Sequence, residues 1–431
     1  VINFAIDYVK KKLKGEFARA LVILVGGTAS AQVLTMAAMP VLSRLYSPSD
    51  FGILAVFLGI VTTISVSACL RFDIAVAIPE QDQEAFSLLV LALISAVFFS
   101  ALTALLLTYP PMVISQWLSS RNFGDAVWLI PFGVFFCGAF SAMQNWQIRQ
   151  KNFVLIAKSR FAQAVFGIGV QVLAGIFAAG PLGLLVGSVV GFAANSYSLS
   201  HRAMALFSFK KNYTLLRMIR RYCNYPLFST WEAFANQAAI HLPILIIASA
   251  LAPSEAGYLM LAMSVTQAPM SIFGAAIGQI YLSNAGSSYR NGQLYDFTLQ
   301  IVKKLFRAGF LPIIFAALLA PLLFPLLFGE DWQRAGLLVT WMAPWFLLQF
   351  LTSPVSMSLH IIGAQKTAMV LQIFVMLLRI GMTFSAVQWL PDFTAEIYAI
   401  SGFFAYGIYL AVVLHKVRCV LSRMAPFLNG K

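Results

Sequence analysis

The sequence predicts an all-α polytopic membrane protein, and three observations carry that prediction. Of the 431 residues, 60% are hydrophobic and only 10% are charged, with a mean hydropathy of +0.83. A soluble globule carries about 25% charged residues, so that class is excluded. Turn signals and charge clusters then cut the chain into twelve apolar runs, each near the roughly 20 residues that a bilayer-spanning helix needs. Finally, Lys and Arg alternate from gap to gap, as they do when positive charge is kept on the cytoplasmic side.

The expected spans lie at about 20–44, 52–70, 86–108, 126–147, 161–179, 182–200, 226–250, 257–281, 305–328, 335–361, 368–390 and 396–415. Basic residues mark one side of them. Lys10, Lys11, Lys12, Lys14 and Arg19 precede the first span, and Arg71 follows the second. Arg149, Lys151, Lys158 and Arg160 follow the fourth, and Arg202, Lys210, Lys211, Arg217, Arg220 and Arg221 follow the sixth. Arg290, Lys303, Lys304 and Arg307 follow the eighth, Lys366 follows the tenth, and Lys416, Arg418, Arg423 and Lys431 end the chain. That places 25 of 29 basic residues on one face and predicts that both termini are cytoplasmic. The net charge of +14 is therefore a topology signal, aided by attraction to anionic lipids, and not a nucleic-acid footprint. A basic stretch ahead of an apolar run also suits a signal peptide, but no convincing cleavage site follows it, so the run is read as the first span.

Two six-helix lobes follow from this count: 1–200 for spans 1–6, and 226–431 for spans 7–12 with a cytoplasmic tail. A basic linker, 201–225, joins them. Its Leu206, Phe209, Tyr213, Leu216 and Ile219 recur every three or four residues, as in an amphipathic surface helix. The expected outer loops (45–51, 109–125, 180–181, 251–256, 329–334 and 391–395) leave no room for a large catalytic domain.

The lobes repeat. Pro48-Ser-Asp-Phe-Gly52 returns as Pro253-Ser-Glu-Ala-Gly257, each between long apolar runs, and Pro40-Val-Leu is answered by Pro243-Ile-Leu. Internal repeats are the usual construction of a transporter, and an even number of spans per lobe makes this one parallel. Capping rules account for the motif: Ser47 caps, Pro48 suits the first helical position, and Asp50 lies near the positive helix end. Gly183, Gly187 and Gly191 form a small-residue stripe for close helix contact. Pro269, Pro312, Pro321, Pro325, Pro344 and Pro354 fall within spans of the second lobe and free backbone groups that neighbours or a wet cavity must satisfy. Bent helices of this kind suit alternating access.

Ionisable groups inside a span are expensive and by default functional. Arg379, in the middle of span 11, is a candidate for a polar substrate cavity. Arg44 at the end of span 1, Arg71 after span 2 and Arg160 at the start of span 5 are further candidates, with snorkelling or topology as the plain alternative for each. Glu232, with Asn236 one turn on, is a candidate site for a coupling proton or sodium ion, or a structural partner for a cation such as Arg379. Asp73 in Arg71-Phe-Asp73 is either one half of an ion-pair gate or a helix-end anchor. Amides are plentiful, among them Gln144, Gln163, Gln171, Asn195, Gln349 and Gln372. Arginines suit phosphate oxygens and amides suit sugar hydroxyls, so the inventory favours an anionic, glycosylated substrate.

His201, His241, His360 and His415 are scattered without ligand partners at metal spacing, and Cys69, Cys137, Cys223 and Cys419 are isolated. No Walker-type loop, dinucleotide fingerprint, HExxH or nucleophile elbow occurs. No cofactor is expected beyond the coupling ion.

The residues Pro40-Val-Leu-Ser-Arg-Leu-Tyr-Ser-Pro-Ser-Asp-Phe-Gly52 and Arg71-Phe-Asp-Ile-Ala-Val76 resemble the N-terminal signature of bacterial polysaccharide (O-antigen type) flippases. These belong to the multidrug/oligosaccharidyl-lipid/polysaccharide exporter superfamily. The resemblance covers the first hundred residues and extends over the rest by length, topology and repeat. Lipid II flippases of that superfamily usually have fourteen spans, and this chain has room for twelve. The resemblance implies a V-shaped pair of bundles around a cationic cavity in the bacterial inner membrane. It implies movement of undecaprenyl-pyrophosphate-linked oligosaccharide from the inner to the outer leaflet by ion-coupled alternating access. Other polysaccharide-assembly membrane proteins are the partners it implies. Arg44 and Arg71 match signature positions, whereas Arg379 and Glu232 rest on the physical argument alone. The competing readings are a multidrug-type cation antiporter, disfavoured by the shortage of intramembrane acids, and a membrane-embedded polymerase or ligase.

Overall fold

The computed structural model describes residues 16–108, 124–203, 215–223 and 225–428. The basic residues at 10–14, Arg121, most of the loop expected at 109–125, and Leu206, Phe209, Lys210, Lys211 and Tyr213 of the expected surface helix lie outside these. Among the described residues the chain is helical and contains no strand.

Every expected span falls on a helix. The helices are α1 (Glu16–Leu45), α2 (Pro48–Ala68), α3 (Asp82–Thr108), α4 (Leu129–Arg149), α5 (Phe153–Ile176) and α6 (Pro181–Ala203). They continue as α7 (Thr230–Ala250), α8 (Pro253–Arg290), α9 (Leu294–Phe328), α10 (Gln333–Val355), α11 (Gln365–Trp389) and α12 (Thr394–Leu428). Ten segments of the described chain are long and apolar enough to cross a membrane. Large apolar side chains lie on their outer surfaces, including Leu311, Leu322 and Leu326 of α9, each about 70% exposed. A soluble helix would bury such a stripe; a bilayer solvates it. The protein is a multi-pass membrane protein.

One boundary differs from expectation. The basic gap after span 8 was expected to hold Arg290, Lys303, Lys304 and Arg307, but only a short turn at Asn291–Gln293 interrupts the helix there, with Gly292 at φ +72°. At 38 and 35 residues, α8 and α9 are longer than the roughly 20 residues a bilayer core needs, and Arg290, Lys303, Lys304 and Arg307 lie on these helices rather than in a loop.

The helix-start reading of the repeat is visible in the first copy. Ser47 adopts an extended conformation (φ −74°, ψ 161°) and accepts a hydrogen bond from the Asp50 amide, while the Asp50 carboxylate accepts one from the Ser47 amide. This is a complete capping box, with Pro48 opening α2. In the second copy α8 opens at Pro253.

The chain forms two compact units. One runs from Arg19 to Met260, and the other is built on Leu261–Lys431. In the first, α2 packs against α4 and α7, and α5 lies along α6. The Gly183–Gly187–Gly191 stripe faces α5: a Cβ at Gly187 would meet Gly167 and Gln171, and one at Gly191 would meet Gln163. Amides lock the same contact. Gln171 donates to the Leu184 carbonyl and to the Ser188 hydroxyl, and its own carbonyl accepts the Tyr46 hydroxyl at 2.7 Å. At the foot of α3, Arg221 pairs with Glu84 at 2.6 Å and Tyr222 donates to the same carboxylate. Burial and then the Glu84 charge hold the Tyr222 phenol above its ordinary range.

In the second unit, α10 packs against α9 and α12, and α11 against α12. The prolines leave their helices continuous. Pro321 has no amide proton for the carbonyl of Ala317, four residues back, and the Thr340 hydroxyl on α10 donates to that oxygen at 2.7 Å. Tyr281 ties the base of the unit together through hydrogen bonds at 2.7 Å with Thr298 and Ser358.

Candidate functional site

Two groups of buried polar side chains have atoms with no hydrogen-bond partner among the described residues, one group in each unit. In native proteins such atoms are few, and each needs an explanation.

In the second unit the group centres on Arg379. The buried positions of α11 are Ala368, Leu371, Val375, Arg379, Thr383 and Ala386, a single stripe at three- and four-residue spacing. Arg379 therefore points inward and is 1% exposed. Its guanidinium lies over the Trp345 ring of α10 at 4.4 Å and over the Tyr398 ring of α12 at 4.5 Å. Those two rings meet edge to face at 5.4 Å. Gly402 makes room for the indole: a Cβ there would overlap the Trp345 ring. Nε and Nη2 of Arg379, the Trp345 indole nitrogen, the Thr383 hydroxyl and Gln349 Oε1 have no hydrogen-bond partner among the described residues. Thr383 lies one turn beyond Arg379, and Gln349 one turn beyond Trp345, so each pair shares a helix face. On α12, Glu396 pairs with Arg334 through Oε1 at 2.5 Å, and its Oε2 has no hydrogen-bond partner among the described residues. The aromatic rings hold the cation without neutralising it.

In the first unit the polar groups form a seam across four elements. Asp73 sits in a short helical turn, Phe72–Ala75, and is 3% exposed. It accepts a hydrogen bond from Ser141 of α4 at 2.5 Å. Three residues along α4, Gln144 accepts from Arg160 of α5 at 3.1 Å. Three residues along α5, Gln163 accepts from Asn195 of α6 at 2.6 Å. Asp73 Oδ1, Arg71 Nε, Arg160 Nε and Asn195 Oδ1 have no partner among the described residues, nor do the hydroxyls of Thr63 and Ser67 on α2. The turn leading into the seam is strained: Leu70 and Arg71 are both left-handed, at φ 49° and 58°. Cys69 donates to the Gly138 carbonyl of α4 and pins the turn.

The structure thus brings Arg71, Asp73 and Arg160 to one seam and places Arg379 in its own box. Asp73 is held by Ser141 and makes no ion pair with Arg71. Arg44 is exposed in the last turn of α1, Glu232 is half-buried in the first turn of α7, and Asn236 is exposed one turn on. Ser141, Trp345, Tyr398 and Thr383 were not expected from the sequence. The one available signal was spacing, since Thr383 follows Arg379 by four residues and Trp345 precedes Gln349 by four. Among the described residues no group of His, Cys, Asp or Glu is arranged to hold a metal ion, and none of the four cysteines is in a disulfide.

Residues 41–336 match the model of a family described as polysaccharide biosynthesis protein, which is well over half of the chain. The chain belongs to that family. A search of curated protein sequences gave no match. Among solved structures, this polysaccharide biosynthesis protein is similar to the lipid II flippase MurJ in an inward closed conformation. The TM-score is 0.69 at 14% identity, covering 95% of this chain and 92% of that one. It is also similar to an inward-facing multidrug resistance MATE family transporter of the MOP superfamily, with a TM-score of 0.59 at 17% identity, covering 92% and 94%. A third match is a MOP superfamily transporter from Pyrococcus furiosus, described as having a binding pocket of reversed polarity. Its TM-score is 0.57 at 16% identity, covering 95% and 97%. At these identities the likeness establishes the fold.

Proposed function

We propose that this protein is a flippase that carries an undecaprenyl-pyrophosphate-linked oligosaccharide, of the O-antigen or a similar surface-polysaccharide type, from the inner to the outer leaflet of the bacterial inner membrane. It works by alternating access of the two lobes, 1–200 and 226–431, joined by the linker 201–225, with both termini cytoplasmic. The observation that carries this reading is Arg379, buried between Trp345 and Tyr398, whose Nε and Nη2 have no hydrogen-bond partner among the described residues. The idealised cost of moving a bare ion into a low-dielectric interior is on the order of 20 kcal/mol, and several remain after relaxation. That is comparable to the whole net stability of a fold, about 5–15 kcal/mol. A cation kept there at such cost awaits an anion, and a guanidinium matches phosphate oxygens through paired N–H groups. Membership of a polysaccharide biosynthesis family supplies the glycan, and the fold shared with a lipid II flippase supplies a precedent for a lipid-linked substrate. Glu232 and Asn236 are the proposed binding site for a coupling proton or sodium ion.

The fold shared with multidrug transporters favours one second reading, a small-molecule cation antiporter. The chemistry at Arg379 opposes it, because an organic cation would be repelled there. Purified protein in vesicles separates the readings. Movement of a labelled undecaprenyl-diphosphate-linked saccharide to the far leaflet, without its polymerisation and without ion-driven uptake of a cationic dye, is the expected result. Dye uptake without flipping would establish the antiporter, and polymerisation would establish an enzyme.

A further inference from the structure

We infer that the seam Asp73–Ser141, Gln144–Arg160, Gln163–Asn195 is a saccharide-binding site that reads the glycan of the lipid-linked substrate, separately from the anion site at Arg379. This rests on the flippase reading and assigns one part of the substrate to one set of residues.

The argument starts from helix geometry. Residues three apart on a helix lie on the same face, so Ser141 and Gln144 share a face of α4, and Arg160 and Gln163 share a face of α5. The three hydrogen bonds at 2.5, 3.1 and 2.6 Å therefore link into one line from the Phe72–Ala75 turn to α6. Along this line the unused capacity is mixed. Arg71 Nε and Arg160 Nε are spare donors, while Asp73 Oδ1 and Asn195 Oδ1 are spare acceptors.

That mixture selects the ligand. A phosphate group offers acceptors only, so it would leave the acceptors of Asp73 and Asn195 unmet and would be repelled by the carboxylate. A metal or organic cation would be met by two guanidinium groups of its own sign. Sugar hydroxyls both donate and accept, and they can satisfy each spare atom in turn. Asp73 and Asn195 are 3% and 1% exposed, whereas Arg71, Ser141, Gln144, Arg160 and Gln163 are half-buried. The left-handed Leu70–Arg71 backbone holds this turn in a conformation that costs free energy, as binding sites commonly do.

The test uses the full chain in lipid nanodiscs, with calorimetric binding of two probes: N-acetylglucosamine and inorganic phosphate. The sugar carries no anion and reports on the seam, whereas phosphate carries no sugar and reports on Arg379. The expected result is that both bind. Asp73→Asn and Asn195→Ala should each weaken N-acetylglucosamine by about tenfold, the scale of one hydrogen bond to a charged group, with phosphate unchanged. Arg379→Lys should weaken phosphate and leave N-acetylglucosamine unchanged. Asn195→Ala also serves if Asp73→Asn fails to fold. N-acetylglucosamine bound as tightly by the seam variants, or not bound by the unsubstituted protein while phosphate binds, would overturn the seam assignment and leave the flippase reading standing. Failure of the unsubstituted protein to bind either probe would overturn both.

Discussion

Gly52 of α2 lies directly against the backbone carbonyl of Pro253, and Gly257 of α8 lies against the carbonyl of Pro48. The two copies of the repeated motif therefore meet one another. The glycine that closes each copy accepts the proline that opens the other, a reciprocal contact within the first unit. A Cβ at either position would run into backbone rather than into the yielding end of a side chain. The shared Pro and Gly thus do two jobs: they start two helices, and they let those helix starts touch.

Gly52→Ala and Gly257→Ala should each destabilise the protein by about 1–3 kcal/mol, the usual cost of overpacking. Because both act on one contact, the double variant should cost less than the sum. Thermal unfolding in detergent checks this; an unshifted transition in both single variants would show that the helix starts can separate freely.

Thr340→Val should cost about 0.6–1.7 kcal/mol by leaving the Ala317 carbonyl unpaired in a membrane helix. The cost should largely vanish in a Pro321→Ala background, where the restored amide proton satisfies that carbonyl within α9. A double-mutant cycle on the unfolding midpoint reads the coupling, and strict additivity would sever Thr340 from the proline.

Tyr46 lies between α1 and α2, is 4% exposed, and donates to the Gln171 carbonyl. Burial first, and the Asp50 charge second, raise its phenol above the ordinary value. A pKa raised by folding adds stability that is fully present below about pH 10 and lost as pH rises beyond it. Unsubstituted protein should therefore melt higher than Tyr46→Phe at pH 8, with the gap closing above pH 10. A gap independent of pH would mean that the phenol's ionisation is not linked to folding.

How much of this was legible in the sequence depended on range. The Ser47 cap and the glycine stripe of α6 rest on residues a few positions apart, and local rules described them fully. Arg379 stood out in the sequence because a charge in mid-span has nowhere cheap to go, and it reads there as facing a polar cavity. Its aromatic walls were not legible: Trp345 and Tyr398 come from other helices, and nothing local distinguishes them from ordinary apolar residues. The seam shows the same limit, since Asp73 finds Ser141 68 positions away. The amides, grouped in the sequence as lining for a cavity, divide in the structure. Gln171 is spent on packing α5 against α6, whereas Gln144 and Gln163 belong to the seam.

The central claim is that Arg379 binds the anionic part of a lipid-linked substrate, and one measurement tests it most directly. That measurement is the rate at which purified Arg379→Gln, matched to the unsubstituted protein in melting temperature and vesicle insertion, flips a labelled undecaprenyl-diphosphate-linked saccharide. Losing a charge-assisted contact of about 3 kcal/mol should slow flipping by roughly a hundredfold. Arg379→Lys should recover only part of the rate, because an ammonium cannot pair two phosphate oxygens in one plane. Flipping by Arg379→Gln at the unsubstituted rate would contradict the account.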